Sequence, residues 1–354
     1  MKQNKLTYIG HIIEGSNDGG MARNRAFYNE LQKRGGNMIN VYDANVVKRI
    51  KKIISTWSFL LTGRNNTNFI HLGSLFLVFP KQLMRFPLFF KIFGSLFRLI
   101  CKKNTIYLEI NDLPLEQAID LNLLVEPFYK DFQKKIFSDH PNLHFIFASH
   151  KMAEYVVDKY KISKNKVQVL INGAPRLLPK KQKNILQKST KIKAIYVGTL
   201  NRDRGISELL EQKNGINHID LILVGPEGEW LKNENFPDVH YLGSFPEQEA
   251  LSIASQCDFG LVPYDEDKFY YNLCYPSKNS FYISAGIPVL CTPLEESLNV
   301  LEKHDVFIFQ KVENWKNELR EVSHLKLSQM KENLIKVKDE FLWENITAKL
   351  NLEQ

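Results

Sequence analysis

Short unbroken apolar runs alternate along the chain with longer segments in which apolar residues recur every three to four positions. The runs are rich in Val, Ile, Tyr and Phe. They predict strands at 6–13, 38–42, 68–72, 105–110, 143–147 and 167–171, and a second series at 192–197, 219–224, 238–242, 258–262, 288–291 and 306–309. Strands without polar alternation suit a parallel sheet covered by helices on both faces. Strand–helix alternation over this length predicts an α/β doubly wound fold. Between the two series, PRLLPKKQKNILQKSTK (175–191) carries prolines and lysines without a period and reads as a linker. Two domains follow, 1–174 and 192–325, facing each other across a cleft, with C-terminal helices over 326–354. Ligands in such sheets bind outside the carboxyl ends of the strands.

Composition narrows the class. A chain of 354 residues, 44% hydrophobic and 24% charged, is long enough for two domains and excludes disorder or a collagen-like repeat. Cys101, Cys257, Cys274 and Cys291 form no C-x-x-C pair and no histidines cluster near them. That argues against structural zinc and fits a reducing, cytoplasmic setting. The start, MKQNKLTYIGHII, lacks the apolar core of a secretory signal, and no apolar run is long enough to predict a transmembrane helix.

The distribution of charge matters more than the net +8. Residues 1–178 carry 26 bases against 13 acids, a net +13, and the remainder nets −5. No acid occurs between Asp43 and Glu109, a stretch holding eleven bases and many Phe, Leu and Ile residues. Such a stretch suits nucleic acid or an anionic membrane surface. It lacks an RNP, zinc-finger or helix-turn-helix signature, so nucleic acid is the weaker partner. Within it, residues 74–103 hold six of the eleven bases. Pro80 and Pro87 break the segment, and Leu88–Lys103 reads as a helix with Lys91, Arg98, Lys102 and Lys103 toward a polar rim, the pattern of an interfacial helix. The competing reading places these phenylalanines in the first domain's core.

Four segments carry candidate chemistry. In YIGHIIEGSNDGG (8–20), a strand and a loop lead into a helix, and Gly19 and Gly20 stand where backbone can approach a ligand at a helix N-terminus. The same residues also make an ordinary strand-to-helix turn. In IYVGTLNRDRG (195–205), Gly198 ends a strand, and Arg202 and Arg204 precede a helix, as suits a diphosphate. In CDFGLVPYDEDKFYYNLCYPSKNSFYISAGIPVLCTP (257–293), Ser277 is a candidate N-cap, Lys278 stands in the first helical turn, and Gly286 is a candidate C′ glycine. A lysine in a first turn opposes the helix dipole, and a bound phosphate would remove that penalty. In TIYLEINDLP, Asp112 follows a strand where a carboxylate can orient a hydroxyl or act as a base, or simply form an Asx turn or cap. His11 reads as packing, and His71, His144 and His150 lack metal-ligand spacing.

Arg202-x-Arg204-Gly205, LILVGPEG (221–228), VHYLGSFP (239–246), CDFGLVPY and PSK-x-x-x-Y-x-x-AG-x-PV together resemble the nucleotide-sugar domain of GT-B glycosyltransferases, above all family 4, glycosyltransferases group 1. FASHKMAEYVVDKYKISKNKVQVLINGAP, with Asn172-Gly173, resembles the family's close of the first domain. FLWENITAKL resembles the closing helix, which in the family crosses back to the first domain. The resemblance implies a GT-B fold of two Rossmann-like domains, the first on the acceptor side. It implies a nucleotide-sugar donor, a hexosyltransferase activity and retention of configuration. Arg204 matches the basic residue on the donor diphosphate, and Ser244 and Phe245 match the loop bordering the base. Thr199 stands where an arginine usually follows the Gly198-type glycine. Leu273 and Phe281 replace the family's paired glutamates. The Lys278-x-Ser280-x-Tyr282 version resembles a smaller bacterial group of surface-glycan glucosyl- and galactofuranosyltransferases, with Lys278, Ser280 and Tyr282 as substitutes.

The expectation is therefore transfer of a sugar, UDP-linked by default, to a glycan or lipid-linked glycan acceptor, by an enzyme peripheral to the inner face of the cell membrane. No metal or other cofactor is expected, since Arg204, Lys278 and a helix N-terminus can stabilise the leaving diphosphate. A GT-B sugar-nucleotide epimerase and a non-catalytic GT-B-like partner subunit are the alternatives.

Overall fold

The computed structural model describes residues 5–13, 15, 19–138, 140–178, 186, 189–202, 205–234 and 236–352. The chain divides into two compact units, one running up to Ile171 and including the segment from Thr347 onward, the other Asn172–Ile346. Of the expected linker 175–191, residues 179–185 and 187–188 lie outside the described residues. Its first residues are fastened into the second unit: the Ser284 hydroxyl donates to Pro175 O at 2.6 Å and Arg176 pairs with Glu344 at 2.7 Å.

Among the described residues the first unit holds a six-stranded, all-parallel sheet: β1 (Leu6–Gly10), β2 (Asn37–Asn40), β3 (Thr67–His71), β4 (Thr105–Ile110), β5 (Leu143–Phe147) and β6 (Val167–Val169), in the order β2-β1-β3-β4-β5-β6. Its helices are α1 (Gly19–Lys33), α2 (Val46–Thr62), α3 (Leu72–Val78), α4 (Lys81–Met84), α5 (Pro87–Lys103), α6 (Pro114–Asp120), α7 (Tyr129–Ile136) and α8 (His150–Tyr160). Local chemistry sets several boundaries. Asn45 caps α2 by accepting from Lys48 N, Ser149 caps α8 by accepting from Met152 N, and Pro87 occupies the first turn of α5.

The second unit holds β7 (Ile192–Val197), β8 (Ile219–Val224), β9 (Val239–Gly243), β10 (Phe259–Val262), β11 (Val289–Cys291) and β12 (Phe307–Phe309), again all parallel, in the order β12-β11-β10-β7-β8-β9. Around it lie α9 (Ile206–Lys213), α10 (Glu247–Ala254), α11 (Phe269–Leu273), α12 (Ser277–Ala285), α13 (Glu295–Leu301), α14 (Trp315–Glu321), α15 (His324–Val337) and α16 (Trp343–Ala348). Alternate residues of one strand feed opposite cores. Ala194 and Tyr196 pack with Leu209, Phe259 and fully buried Trp315, whereas Ile195 packs with Leu251, Ile253 and Val289. Burial on both faces is why these strands read as unbroken apolar runs. Where C-terminal helices were expected over 326–354, the chain forms α15 and α16, parted by a 3-10 turn, Lys338–Phe341, and extended Leu342. Beyond α16, Leu350 O accepts from Arg34 at 2.7 Å, within the first unit.

Both sheets reverse direction of strand addition at one point, between β1 and β3 in the first and between β7 and β10 in the second. Such switch points leave a crevice at the carboxyl edge, because the connections on either side depart to opposite faces.

At the first switch point the sheet carries buried charge. His71 and Glu109 are register partners at the ends of β3 and β4. The Glu109 carboxylate accepts from Arg23 Nε at 2.5 Å and lies 2.8 Å from His71 Nδ1, while His71 Nε2 lies 3.1 Å from the Tyr8 hydroxyl. Arg23 also donates to Leu170 O at 2.8 Å. Burial raises the Glu109 carboxyl's pKa, but the Arg23 charge and the His71 contact outweigh it and hold the carboxyl below its ordinary 4.5. Burial pushes the Tyr8 phenol well up, with the Glu109 charge adding to it. Removing one partner strands a buried charge. Glu109→Gln is expected to lower stability at neutral pH by about 3–5 kcal/mol in urea unfolding. Because the folded value lies below the unfolded one, this contribution is present above 4.5 and fades as pH falls through the folded value. The gap between wild type and variant should therefore shrink on acidification; a gap independent of pH would contradict an ionised Glu109.

Candidate active site

The crevice of the second unit is shaped by one side chain. The ladder between β7 and β10 pairs Ala194 with Phe259 and Ile195 with Gly260 and then stops. Where the strands part, the Tyr282 hydroxyl of α12 accepts from Val197 N at 2.9 Å and donates to Leu261 O at 3.3 Å. Its ring lies over Gly260, where an added Cβ would stand 2.4 Å from it. Tyr282 is thus fully buried and occupied by backbone, and burial drives its phenol far above the ordinary value. The expected direct contact with a donor is corrected: Tyr282 holds the wall of the crevice from behind. Ser280 is corrected in the same way. It is fully buried, donates to Asn172 O at 2.6 Å and lies 3.1 Å from the Tyr275 hydroxyl. Ser277 is not the N-cap of α12; Pro276 holds that position and Ser277 is the first helical residue. Gly286 does end the helix, in the left-handed region at φ 80°.

Lys278, in the first turn of α12, reaches the carboxyl edge of β7. Its Nζ lies 5.3 Å from the ring centres of both Tyr196 and Tyr264 and donates to the Tyr264 hydroxyl at 3.3 Å. A Cβ on Gly198 would come within 2.7 Å of Lys278 Cε, and a Cβ on Gly225 within 1.8 Å of Gly198 O. Glycine at both positions lets the two strand ends and the lysine close on one another. Thr199 follows with its carbonyl accepting from the Tyr196 hydroxyl at 3.2 Å. Tyr196 and Tyr264 also line a cavity of about 310 Å³ with Gly205, Glu208, Pro263 and Tyr271. Lys278 therefore stands beside a cavity walled by aromatic rings and by the carboxylates of Glu208, Asp265, Glu266 and Glu313, which can accept hydrogen bonds from hydroxyl groups.

The remaining donor-side candidates divide. Arg204 and Asp203 lie outside the described residues. Arg202 is folded onto its own unit, its guanidinium 4.3 Å from the centre of the Trp230 ring and paired with Glu234. Ser244 is exposed and Phe245 half-buried after β9, and Gly243 O accepts from Gly225 N at 2.9 Å, which joins this loop to the end of β8. Asp265-Glu266-Asp267 spells an Asp-x-Asp triplet, which the expectation of a metal-free site leaves out of account. Asp265 Oδ1 accepts from Asp267 N at 3.0 Å, an Asx turn, and among the described residues no three or more Asp, Glu, His or Cys side chains cluster as metal ligands.

In the first unit, a cavity of about 600 Å³ opens at the β1/β3 switch point, lined by His11, Gly20, His71, Glu109, Asn111 and Asp112, with Lys81, Leu123, Leu124 and Tyr129 among its other lining residues. Gly19 and Gly20 form the first turn of α1; residues 14 and 16–18 of the preceding loop lie outside the described residues. Asp112 is half-buried and accepts from Asn111 Nδ2 at 3.0 Å. It is not the cap of α6, whose N-cap is Leu113. His11, expected as packing, lines the cavity with Nδ1 2.9 Å from the Ser74 hydroxyl. The sequence assigns His71 nothing, and it offers Glu109 only as one of the carboxylates ending the TIYLEINDLP strand, not as the partner of a buried histidine and arginine. Their place at the ends of adjacent parallel strands is the signal that marks them.

Tyr282→Phe leaves a buried N–H and a buried C=O without their bridge and should cost about 1–3 kcal/mol of stability. Lys278→Ala should leave stability nearly unchanged and weaken a nucleoside diphosphate by about tenfold or more. Urea unfolding and calorimetric titration read the two effects separately. Unchanged stability in Tyr282→Phe would remove its bridging role, and unchanged affinity in Lys278→Ala would remove the lysine from the site.

Residues 194–351 match the family described as Glucosyltransferase 3-like, C-terminal domain. No curated protein matches the chain. Among solved structures, sucrose-phosphate synthase from Thermosynechococcus elongatus is similar at a TM-score of 0.69 and 12% identity, over 98% of this chain and 97% of that one. Anabaena Alr3699/HepE, solved with UDP and glucose, is similar at 0.63 and 10% identity, over 98% of each chain. WaaG, a glycosyltransferase involved in lipopolysaccharide biosynthesis, is similar at 0.59 and 11% identity, over 97% of this chain and 98% of that one. At these identities the structural likenesses establish the fold, and the family match covers 194–351, less than half of the chain. Residues 194–351 are thus similar to the Glucosyltransferase 3-like C-terminal domain family, and the chain is a glycosyltransferase of GT-B fold.

Proposed function

We propose that this glycosyltransferase moves a hexose from UDP to a lipid-linked glycan acceptor at the inner face of a bacterial cell membrane, in the synthesis of a surface polysaccharide, with retention of configuration. The observation that carries the donor half is Lys278 closed against Gly198 at the β7/β10 switch point. A diphosphate there neutralises a lysine that otherwise opposes the α12 dipole. We assign Arg204 and Thr199 to the phosphate side and Ser244 and Phe245 to the base, whereas Arg202 is engaged by Trp230 and Glu234. The structure of HepE with UDP and glucose supports UDP as the nucleotide.

Chemically, the protein supplies position and charge. The bond from the anomeric carbon to the diphosphate oxygen breaks, and negative charge grows on that oxygen. Lys278, Arg204 and the N–H groups opening α12 stabilise it without a divalent ion. Asp112, which lines the first unit's cavity with Gly20, is the carboxylate we assign to orient a sugar hydroxyl or to act as a base toward the acceptor. The acceptor bond forms from that hydroxyl to the anomeric carbon, and the proton leaves with the diphosphate.

UDP should raise the melting temperature more than ADP or GDP. A ligand at a hundred times its dissociation constant adds about 2.7 kcal/mol to the native state. Arg204→Ala should abolish that rise and cost about a hundredfold in turnover. Asp112→Asn should lower turnover while keeping the rise. No rise with any nucleotide would overturn the donor reading, and wild-type turnover in Asp112→Asn would reduce Asp112 to a turn former.

The membrane half rests on α5. Phe93, Phe97 and Ile100 bury one face against the unit, while Leu88, Ile92 and Leu99 stand exposed beside Lys91, Arg98 and Lys102. The helix thus gives core residues to the first unit and keeps an exposed apolar and basic face, which supports the membrane reading. No helix among the described residues is long and apolar enough to cross a membrane. Bases near an anionic leaflet contribute about 1 kcal/mol each, enough for salt-sensitive attachment. Sedimentation with vesicles should show binding to anionic lipid that weakens at high salt; binding that ignores lipid charge, or none, would make a soluble acceptor the better reading.

A further inference from the structure

We infer that α2 is a second membrane-contacting helix, so that the first unit meets an anionic bilayer through α2 and α5 together. This rests on the membrane reading above and adds an element that the 74–103 segment does not contain.

Helix α2 has two apolar faces. One is packed. Thr56 and Leu60 are buried, and the Trp57 indole N–H donates to Val78 O at 3.0 Å. The Trp57 ring meets Phe79 at 3.9 Å, and Phe79 in turn meets Phe93 of α5 at 4.5 Å. The C-terminal ends of the two helices are tied as well: Lys103 donates to Leu61 O at 2.9 Å and Asn104 to Leu60 O at 3.3 Å. The other face is open. Val47, Ile50 and Ile54, spaced as one helical stripe, are 63%, 51% and 62% exposed, and Val46 beside them 56%. Single exposed aliphatic residues are ordinary, but a stripe of them along one helix marks a surface with a partner. Exposed Lys48 and Lys51 flank the stripe.

Charge selects the partner. The chain has no acid from 44 to 108, so a second copy of this face would set bases against bases. Among the described residues the ion pairs of Lys and Arg in this stretch are Lys52 with Asp43 and Arg85 with Glu126. An anionic lipid surface complements both the stripe and the lysines. Each lysine near such a surface is worth about fivefold in partitioning.

The test is co-sedimentation of the full chain with vesicles of equal parts phosphatidylglycerol and phosphatidylcholine, and with phosphatidylcholine alone. Val47→Ser/Ile50→Ser/Ile54→Ser should weaken binding to the anionic vesicles by about tenfold or more, given the apolar area withdrawn. Lys48→Gln/Lys51→Gln should weaken it by about twenty-fivefold. The melting temperature and its rise with UDP should be unchanged in both, and Ile335→Ser, at an exposed position of α15 in the second unit, should bind as wild type. Wild-type partitioning in the serine triple variant, with wild type bound, would overturn the role of α2 and leave α5 as the sole contact. A wild type that self-associates in sedimentation equilibrium, and a triple variant that does not, would also overturn it and assign the stripe to a second copy. Absence of wild-type binding would remove the membrane reading and this inference together, leaving the nucleotide site to its own test.

Discussion

The hydroxyl of Tyr282 joins two strands that the topology drives apart. At β7/β10 the chain changes the side on which strands are added, and main-chain pairing ends two residues before the strands do. Without a bridge, Val197 N–H and Leu261 C=O would face an apolar interior, a cost comparable to that of a lost hydrogen bond. Tyr282 supplies donor and acceptor at once, and Gly260 leaves room for its ring. Because Tyr282 lies one turn after Lys278 on the same helix, the bridge also sets where α12 begins. The first turn of α12 is thereby aimed at the crevice, and Lys278 is brought against Gly198 between two tyrosines. Fold stability and the candidate phosphate site depend on the same side chain.

The first unit solves its own switch point with charge. Arg23 from α1, His71 from β3 and Glu109 from β4 meet in the interior beneath the cavity, and Arg23 continues to the carbonyl of Leu170 just past β6. A buried pair of this kind contributes little net stability compared with apolar packing. It does fix which strand ends stand together, and hence where Asn111 and Asp112 emerge at the cavity rim. The outer surface of the same unit shows the opposite arrangement, with aliphatic residues in water and bases around them on α2 and α5.

The strands were legible because burial on both faces leaves unbroken Val, Ile, Leu and Phe runs, and every expected strand has its counterpart in β1–β12. Gly286 was legible because a helix ending in the left-handed region selects glycine locally. Long-range pairings were not. Tyr282 in PSK-x-x-x-Y looks like a ligand residue until its partners, Val197 and Leu261, are known to lie 85 and 21 residues away. Ser280 misleads for the same reason. His71 and Glu109 are 38 residues apart and share no local pattern. On α2 two apolar faces overlap in the sequence, so the periodicity does not say which one the unit covers.

Hydrogen–deuterium exchange with and without saturating UDP tests the central claim that the nucleotide end of the donor binds at the second unit's switch point. Amides around Val197–Arg202 and those opening α12 at Ser277–Ser280 should exchange more slowly with UDP, while the strand ends at Glu109–Asp112 change little. Protection confined to the first unit, or absent from both segments of the second, would contradict it.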